Sequence, residues 1–244
     1  MTSYKGLKEV SHGGATAGYL TYLARYPEKK LSIALLCNGS PPPFSGQLVH
    51  SFVEEILGPF PEGQKEPEGV PMTEDQLKKY VGIWKNERSR NANRIAIDKG
   101  VLKLNNNTLK PMADGSFLLG STAKMTFTAD KDGKPIKADI LNDDGSITNL
   151  TLQQEWAPTV ADLTAFAGDW YSDEARTTLT FKVEGEKAFI VQPAAFKIEL
   201  RPIYRDAFFA QGTVFWATRD ASGKIDKLHA TASRMRDMPF TRVR

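Results

Sequence analysis

The sequence predicts a mainly β protein: an N-terminal α/β segment of antiparallel strands plus one helix, then two small antiparallel β-barrels. Three observations carry this. Residues 19–26 and 31–38 are two strand-like runs joined by Pro27-Glu28-Lys29-Lys30, the pattern of a hairpin. Leu48, Phe52 and Ile56 recur at helical spacing after Pro41-Pro42-Pro43. From Leu77 onward the chain repeats itself at intervals of 86 to 91 residues, which reads as two copies of one unit.

The hairpin comes first. Tyr19-Leu20-Thr21-Tyr22-Leu23-Ala24-Arg25-Tyr26 runs out, and Leu31-Ser32-Ile33-Ala34-Leu35-Leu36-Cys37-Asn38 returns. The return strand is apolar at almost every position, so it is expected to be covered on both faces. The small-residue run from His12 to Gly18 precedes the first strand. Its glycines would let the backbone approach a neighbour closely. Ser45 and Gly58 are candidate caps of the helix, whose apolar stripe is Leu48, Phe52 and Ile56 with Val49 and Val53 beside it. A hairpin and one helix, residues 1–61, are too few to bury much core. Residues 62–71, rich in Pro, Gly and charge, read as an exposed linker.

The repeat follows. Leu77-x-x-Tyr80-x-Gly82-x-Trp84 recurs as Leu163-x-x-Phe166-x-Gly168-x-Trp170, Leu109-Lys110-Pro111 as Leu200-Arg201-Pro202, and Asp132-Gly133-Lys134 as Ser222-Gly223-Lys224. Each copy opens with a helical turn, for which Thr73 and Asp162 are candidate caps. Short alternating segments follow: 94–97, 101–104, 117–119, 125–128, 138–141 and 149–152 in the first copy, with turns at Asp98-Lys99-Gly100, Asp132-Gly133 and Asp143-Asp144-Gly145. Seven or eight such strands per copy predict small up-and-down barrels over residues 72–156 and 157–244. Trp84 and Trp170 read as core filling, and Phe127, Phe181, Phe196 and Phe215 point to filled interiors.

Composition narrows the function classes. The 32 basic and 29 acidic residues leave a net charge of +3, too balanced to argue for nucleic acid. No apolar run approaches the roughly 20 residues a membrane helix needs. Met1-Thr2-Ser3-Tyr4-Lys5 leads straight into the small-residue run, so no signal peptide is expected. Three histidines and one cysteine leave little material for a soft metal site; no metal and no cofactor are expected. Cys37, in the most apolar strand, reads as a buried thiol.

The run His12-Gly13-Gly14-Ala15-x-x-Gly18-Tyr19, then Arg25-Tyr26-Pro27-Glu28, then an apolar strand ending in Cys37-Asn38, resembles the third signature of the beta-lactamase and penicillin-binding serine hydrolases. Their esterase-like and D-aminopeptidase-like members often carry His where others carry Lys. The paired repeats are similar to the lipocalin-like C-terminal domains of some of these enzymes. The resemblance implies that residues 1–61 are the last part of a larger hydrolase domain, with a small-molecule or peptide amide or ester as substrate of the full-length parent. It implies a periplasmic or secreted location. In that family His12 contacts substrate and tunes the proton network, Gly13 and Gly14 belong to the strand edging the site, and the Ala15 N–H is one of two oxyanion donors.

The family's nucleophile is a Ser followed three residues later by Lys, which shares its proton. The one Ser-x-x-Lys here, Ser121-Thr122-Ala123-Lys124, falls before a strand of the first barrel. There, residues three apart point to different sides, so it reads as a chance match. No Tyr-x-Asn occurs. The chain is thus expected to hold one wall of an active site without its nucleophile and to be inactive alone, with a non-catalytic lipocalin-like accessory or small-ligand- or peptide-binding protein as the alternative. His50 and His229 read as plain helix and strand residues.

Overall fold

In the computed structural model, residues 2–39, 46–58, 60, 67–120, 122–142, 144–192 and 196–243 are described. The protein is mainly β, with an N-terminal antiparallel sheet followed by two closed eight-stranded barrels. Ser45, Ser121 and Asp143, with much of the linker, lie outside the described residues, as does the Phe196 side chain.

The N-terminal sheet has four strands in chain order, β1 (Thr2–Tyr4), β2 (Leu7–Thr16), β3 (Tyr19–Tyr26) and β4 (Leu31–Cys37). The β3–β4 hairpin is the one read from the sequence; its turn is a 3-10 helix, Pro27–Lys29, ended by Lys30 at φ 53°. The small-residue run is itself a strand, not a lead-in. Residues 10–16 of β2 pair with residues 19–25 of β3, around a two-residue turn, Ala17-Gly18. Both turn residues have positive φ, 47° and 83°, the geometry whose twist matches the flanking strands.

Two further expectations fail here for one reason: periodicity does not say which face has a partner. The β4 strand is covered on one face only. Leu31, Ile33 and Leu35 pack with Leu7, Ala24 and Tyr26, while Leu36 is 81% exposed. Helix α1 (Gly46–Leu57) covers that packed face, but through Val49 and Val53, both fully buried. Ile56, of the expected stripe, is 57% exposed. At the helix end the Gly58 N–H donates to the Glu54 carbonyl at 2.9 Å. Cys37 is half-buried rather than buried.

The first barrel is a meander of β5 (Gly82–Asn86), β6 (Ala92–Asp98), β7 (Val101–Leu104), β8 (Asn107–Pro111), β9 (Phe117–Leu119), β10 (Ala123–Ala129), β11 (Pro135–Leu141) and β12 (Ile147–Gln153). It closes where β12 pairs with β5, Leu152 opposite Trp84. The second runs through β13 (Gly168–Ser172), β14 (Thr177–Glu184), β15 (Lys187–Gln192), β16 (Phe196–Tyr204), β17 (Ala207–Ala210), β18 (Thr213–Arg219), β19 (Ile225–Ala232) and β20 (Met235–Arg242), and closes with Trp170 opposite Arg242. Closure removes the free edges that an open sheet must otherwise protect.

The repeat is structural to the level of single bonds. Short helices α2 (Glu74–Lys78) and α3 (Val160–Thr164) precede the barrels, each closed by a reciprocal capping box. The caps are Thr73 with Gln76 and Thr159 with Asp162; Asp162 is therefore the third helical residue, not the cap expected from sequence. Trp84 and Trp170 are fully buried, and each indole N–H donates to a carbonyl four residues back, Tyr80 at 3.0 Å and Phe166 at 2.8 Å. They lock each helix to its barrel as well as filling it. The Asp130 carboxylate accepts from the N–H of Asp132 and Lys134, and Asp220 does the same for Ser222 and Lys224.

The second barrel also packs outwardly. Tyr204, Ala207 and Val214 form a buried cluster with Ile83 of the first barrel, and the Tyr204 hydroxyl donates to the Arg90 carbonyl at 2.7 Å. Val70, from the end of the predicted linker, donates its N–H to the Pro111 carbonyl at 2.9 Å, so the tether ends by docking on β8.

Candidate functional site

The four residues singled out by sequence lie together on β2, where His12 faces Leu23, Gly13 faces Tyr22, Gly14 faces Thr21 and Ala15 faces Leu20. All four are exposed. Side chains alternate across a strand, so His12 shares the open face with Val10 and Leu23, which are 41% and 54% exposed. The opposite face of β2 carries Leu7 and Glu9, both buried.

The edge of β2 is as informative as its face. β1 pairs with Leu7, Lys8 and Glu9 and goes no further, so among the described residues no strand lies on that side of residues 10–16. Antiparallel pairs alternate between exchanging hydrogen bonds and directing them outward. In a two-residue hairpin the pair beside the turn, Thr16 and Tyr19, exchanges both. The next pair, Ala15 and Leu20, therefore turns the Ala15 N–H to the open edge, and the Gly13 N–H follows two residues on. Glycine at 14 has a local reason: a Cβ there would lie 2.7 Å from Thr21 Oγ1 and would push that side chain aside.

No nucleophile joins this edge among the described residues. Lys124, the second half of the Ser-x-x-Lys match, bonds Asp114 at 2.6 Å from strand β10. That ammonium, with Ser116, holds the Asp114 carboxyl well below the usual carboxylate range. The sequence also holds one Ser-x-Asn triplet, Ser89-Arg90-Asn91. It closes the β5–β6 turn, where Asn86 Oδ1 accepts from the N–H of Arg88 and Ser89 and Arg90 has φ 61°. Among the described residues no group of three or more His, Cys, Asp or Glu could hold a metal ion.

Two clusters were not legible in the sequence. Behind β2, the Glu9 carboxylate is 2% exposed. It accepts from the Tyr26 hydroxyl at 2.9 Å, lies 2.8 Å from His50 Nε2, and is 3.4 Å from the Tyr22 hydroxyl. Tyr4 stacks on His50 with ring centroids 3.6 Å apart and donates to Glu54. Burial and that glutamate push the Tyr4 phenol up to about 12. In the second barrel, His229 stacks on Trp216 at 4.1 Å, with Nδ1 2.7 Å from Asp237 Oδ1. The Arg90 guanidinium lies over the same indole at 4.4 Å. His229 Nε2 is buried without a hydrogen-bond partner.

The barrel interior offers a ligand little room. Phe166, Trp170, Phe181, Ile190, Phe208 and Leu228 are each at most 1% exposed, and the three Phe rings lie 5.1 to 5.5 Å apart. Compared with known proteins, the chain matches no family model and no curated protein.

Proposed function

We propose that residues 1–61 are the C-terminal part of a serine hydrolase domain of the beta-lactamase-related kind, and that the two barrels are its packed accessory domains. The observation that carries this is the open side of β2: His12 on an uncovered face, and the Ala15 N–H directed at an unpaired edge. An N–H held on a rigid strand can meet charge that develops on a carbonyl oxygen in the transition state. Val10, Leu23 and Leu36 on the same face fit a sheet whose second covering layer belongs to another part of the domain.

In this reading a Ser activated by Lys attacks an amide or ester carbonyl. Its own N–H and that of Ala15 hold the oxyanion. The Ser proton passes through Lys to the departing amine or alcohol as the carbonyl bond to it breaks; His12 contacts substrate and assists this transfer, and water then attacks the acyl-Ser, releasing the acid and returning a proton to Ser. This chain supplies the strand and the missing part supplies the nucleophile, so the chain alone turns over neither nitrocefin nor a p-nitrophenyl ester. Filled barrels favour this over a small-ligand binding protein.

The test is the reading frame upstream of Met1. A Ser-x-x-Lys followed by a Tyr-x-Asn there, and hydrolysis by the joined protein, support the reading. His12→Ala in that protein is expected to lower turnover by about 100-fold or more, the usual scale of a lost proton-transfer group. An upstream frame with neither motif, or turnover by this chain that Ser121→Ala abolishes, rules it out.

A further inference from the structure

We propose that Glu9 is an acid-sensitive clamp through which the N-terminal sheet holds helix α1. This stands whether or not the sheet belongs to a hydrolase. Glu9 is the one buried carboxylate among the described residues; the other buried polar side chains are Ser116, Ser172, His229 and Thr231.

Its surroundings are donors from every side. Tyr22 and Tyr26 reach it from β3, His50 from α1 and Ser11 from its own strand. Tyr4 of β1 backs His50 by stacking, and beyond it Glu54 is paired with Lys5 at 2.6 Å. A carboxylate can accept from all four neighbours; protonation turns one of its oxygens into a donor, so these bonds must rearrange. Protonation also removes the charge that strengthens these bonds. Of the four, only His50 belongs to the helix, so its bond is the tie from Glu9 to α1. Tyr4 and Lys5, both bonded to Glu54, hold the exposed side of the helix, and Val49, Val53 and Leu57 supply its apolar contact.

The sign follows from the balance at Glu9. Burial alone would raise its carboxyl; the bonds from Ser11, His50 and Tyr26 outweigh that and hold it below the usual range. A carboxyl depressed by folding contributes stability above its unfolded value, about 4.3. That contribution is lost as pH falls through the lower folded value. The clamp holds at neutral pH and lets go in acid. The first barrel has no buried Asp, Glu or His among its described residues and provides the internal reference.

Hydrogen exchange by mass spectrometry on the full chain, corrected for intrinsic rates, tests this between about pH 7 and about pH 3.5. Protection of residues 46–57 is expected to fall several-fold between about pH 4.5 and about pH 3.5 while residues 92–104 keep theirs. Glu9→Gln, which keeps the shape but does not titrate, should lower the helix's protection at neutral pH and shrink its acid loss to what Glu54, bonded to Tyr4 and Lys5, contributes. Tyr26→Phe removes one donor, so it should lower the helix's protection at neutral pH and shrink the acid loss; it carries the test if Glu9→Gln does not fold. Helix protection that is unchanged down to the lowest pH, or an acid loss in Glu9→Gln or in Tyr26→Phe equal to that of the natural chain, would overturn the proposal.

Discussion

The N-terminal sheet and the barrels solve the same problem in different ways. Each barrel closes its sheet, so all strand edges are paired and one face of every strand is packed around Trp84 or Trp170. Among the described residues, the four-stranded sheet has no strand on the outer edge of β2 beyond Glu9, and one of its faces is open, with Leu36 81% exposed. Closure makes a unit that needs nothing else; an open, one-sided layer invites completion. The difference teaches where to look for function: in the region that keeps an open edge and an open face.

Substitutions can break or sharpen this contrast. The largest effect is expected at the barrel base. Trp170→Ala removes a fully buried ring and its bond to the Phe166 carbonyl, at a cost of about 3–5 kcal/mol. Tryptophan fluorescence during denaturant unfolding reads this directly, because all four tryptophans lie after residue 72. Next comes the helix of the open layer. Val53→Ala, at a fully buried position, should cost about 2 kcal/mol, whereas Ile56→Ala, on the exposed side, should stay within about 0.5 kcal/mol. Exchange protection of residues 46–57 distinguishes the two, and equal losses would show that the outer stripe is packed after all. The smallest effect is at the caps. Thr159→Ala should cost about 1 kcal/mol, and Thr73→Ala should match it if the two copies are energetically as well as geometrically alike.

Much of the barrel architecture was legible because alternation and turns are local signals. Segments 94–97, 101–104 and 117–119 all fall within strands, and Lys99-Gly100 turns with positive φ at both residues. Even the missed cap was readable: Thr159 stands 86 residues after Thr73, the same interval that relates Leu163 to Leu77. The open layer was read less well. The run holding Gly13-Gly14 reads as lying ahead of the first strand because glycine is depleted in strands, although a glycine at 14 makes room for Thr21 across the pair. In α1, the series 48, 52, 56 and the series 49, 53, 57 are equally periodic, and only the sheet beneath chooses between them. Glu9 and His50 meet across 41 residues, and no local pattern announces such a pair. The packing between barrels did leave a trace, since Val214-Phe215-Trp216-Ala217 is apolar at consecutive positions, the mark of a strand covered on both faces.

Limited proteolysis of the full chain, with fragments identified by mass, tests the central claim most directly. The Pro- and Gly-rich stretch of residues 62–71 should be cut first, since residues 67–71 are exposed and carry no regular structure to resist a protease. Residues 1–61 should then be degraded while a fragment from about Met72 to Arg244 persists. Survival of residues 1–61 as a protease-resistant monomer, as durable as the barrels, would show that the open layer is complete in itself and would contradict the account.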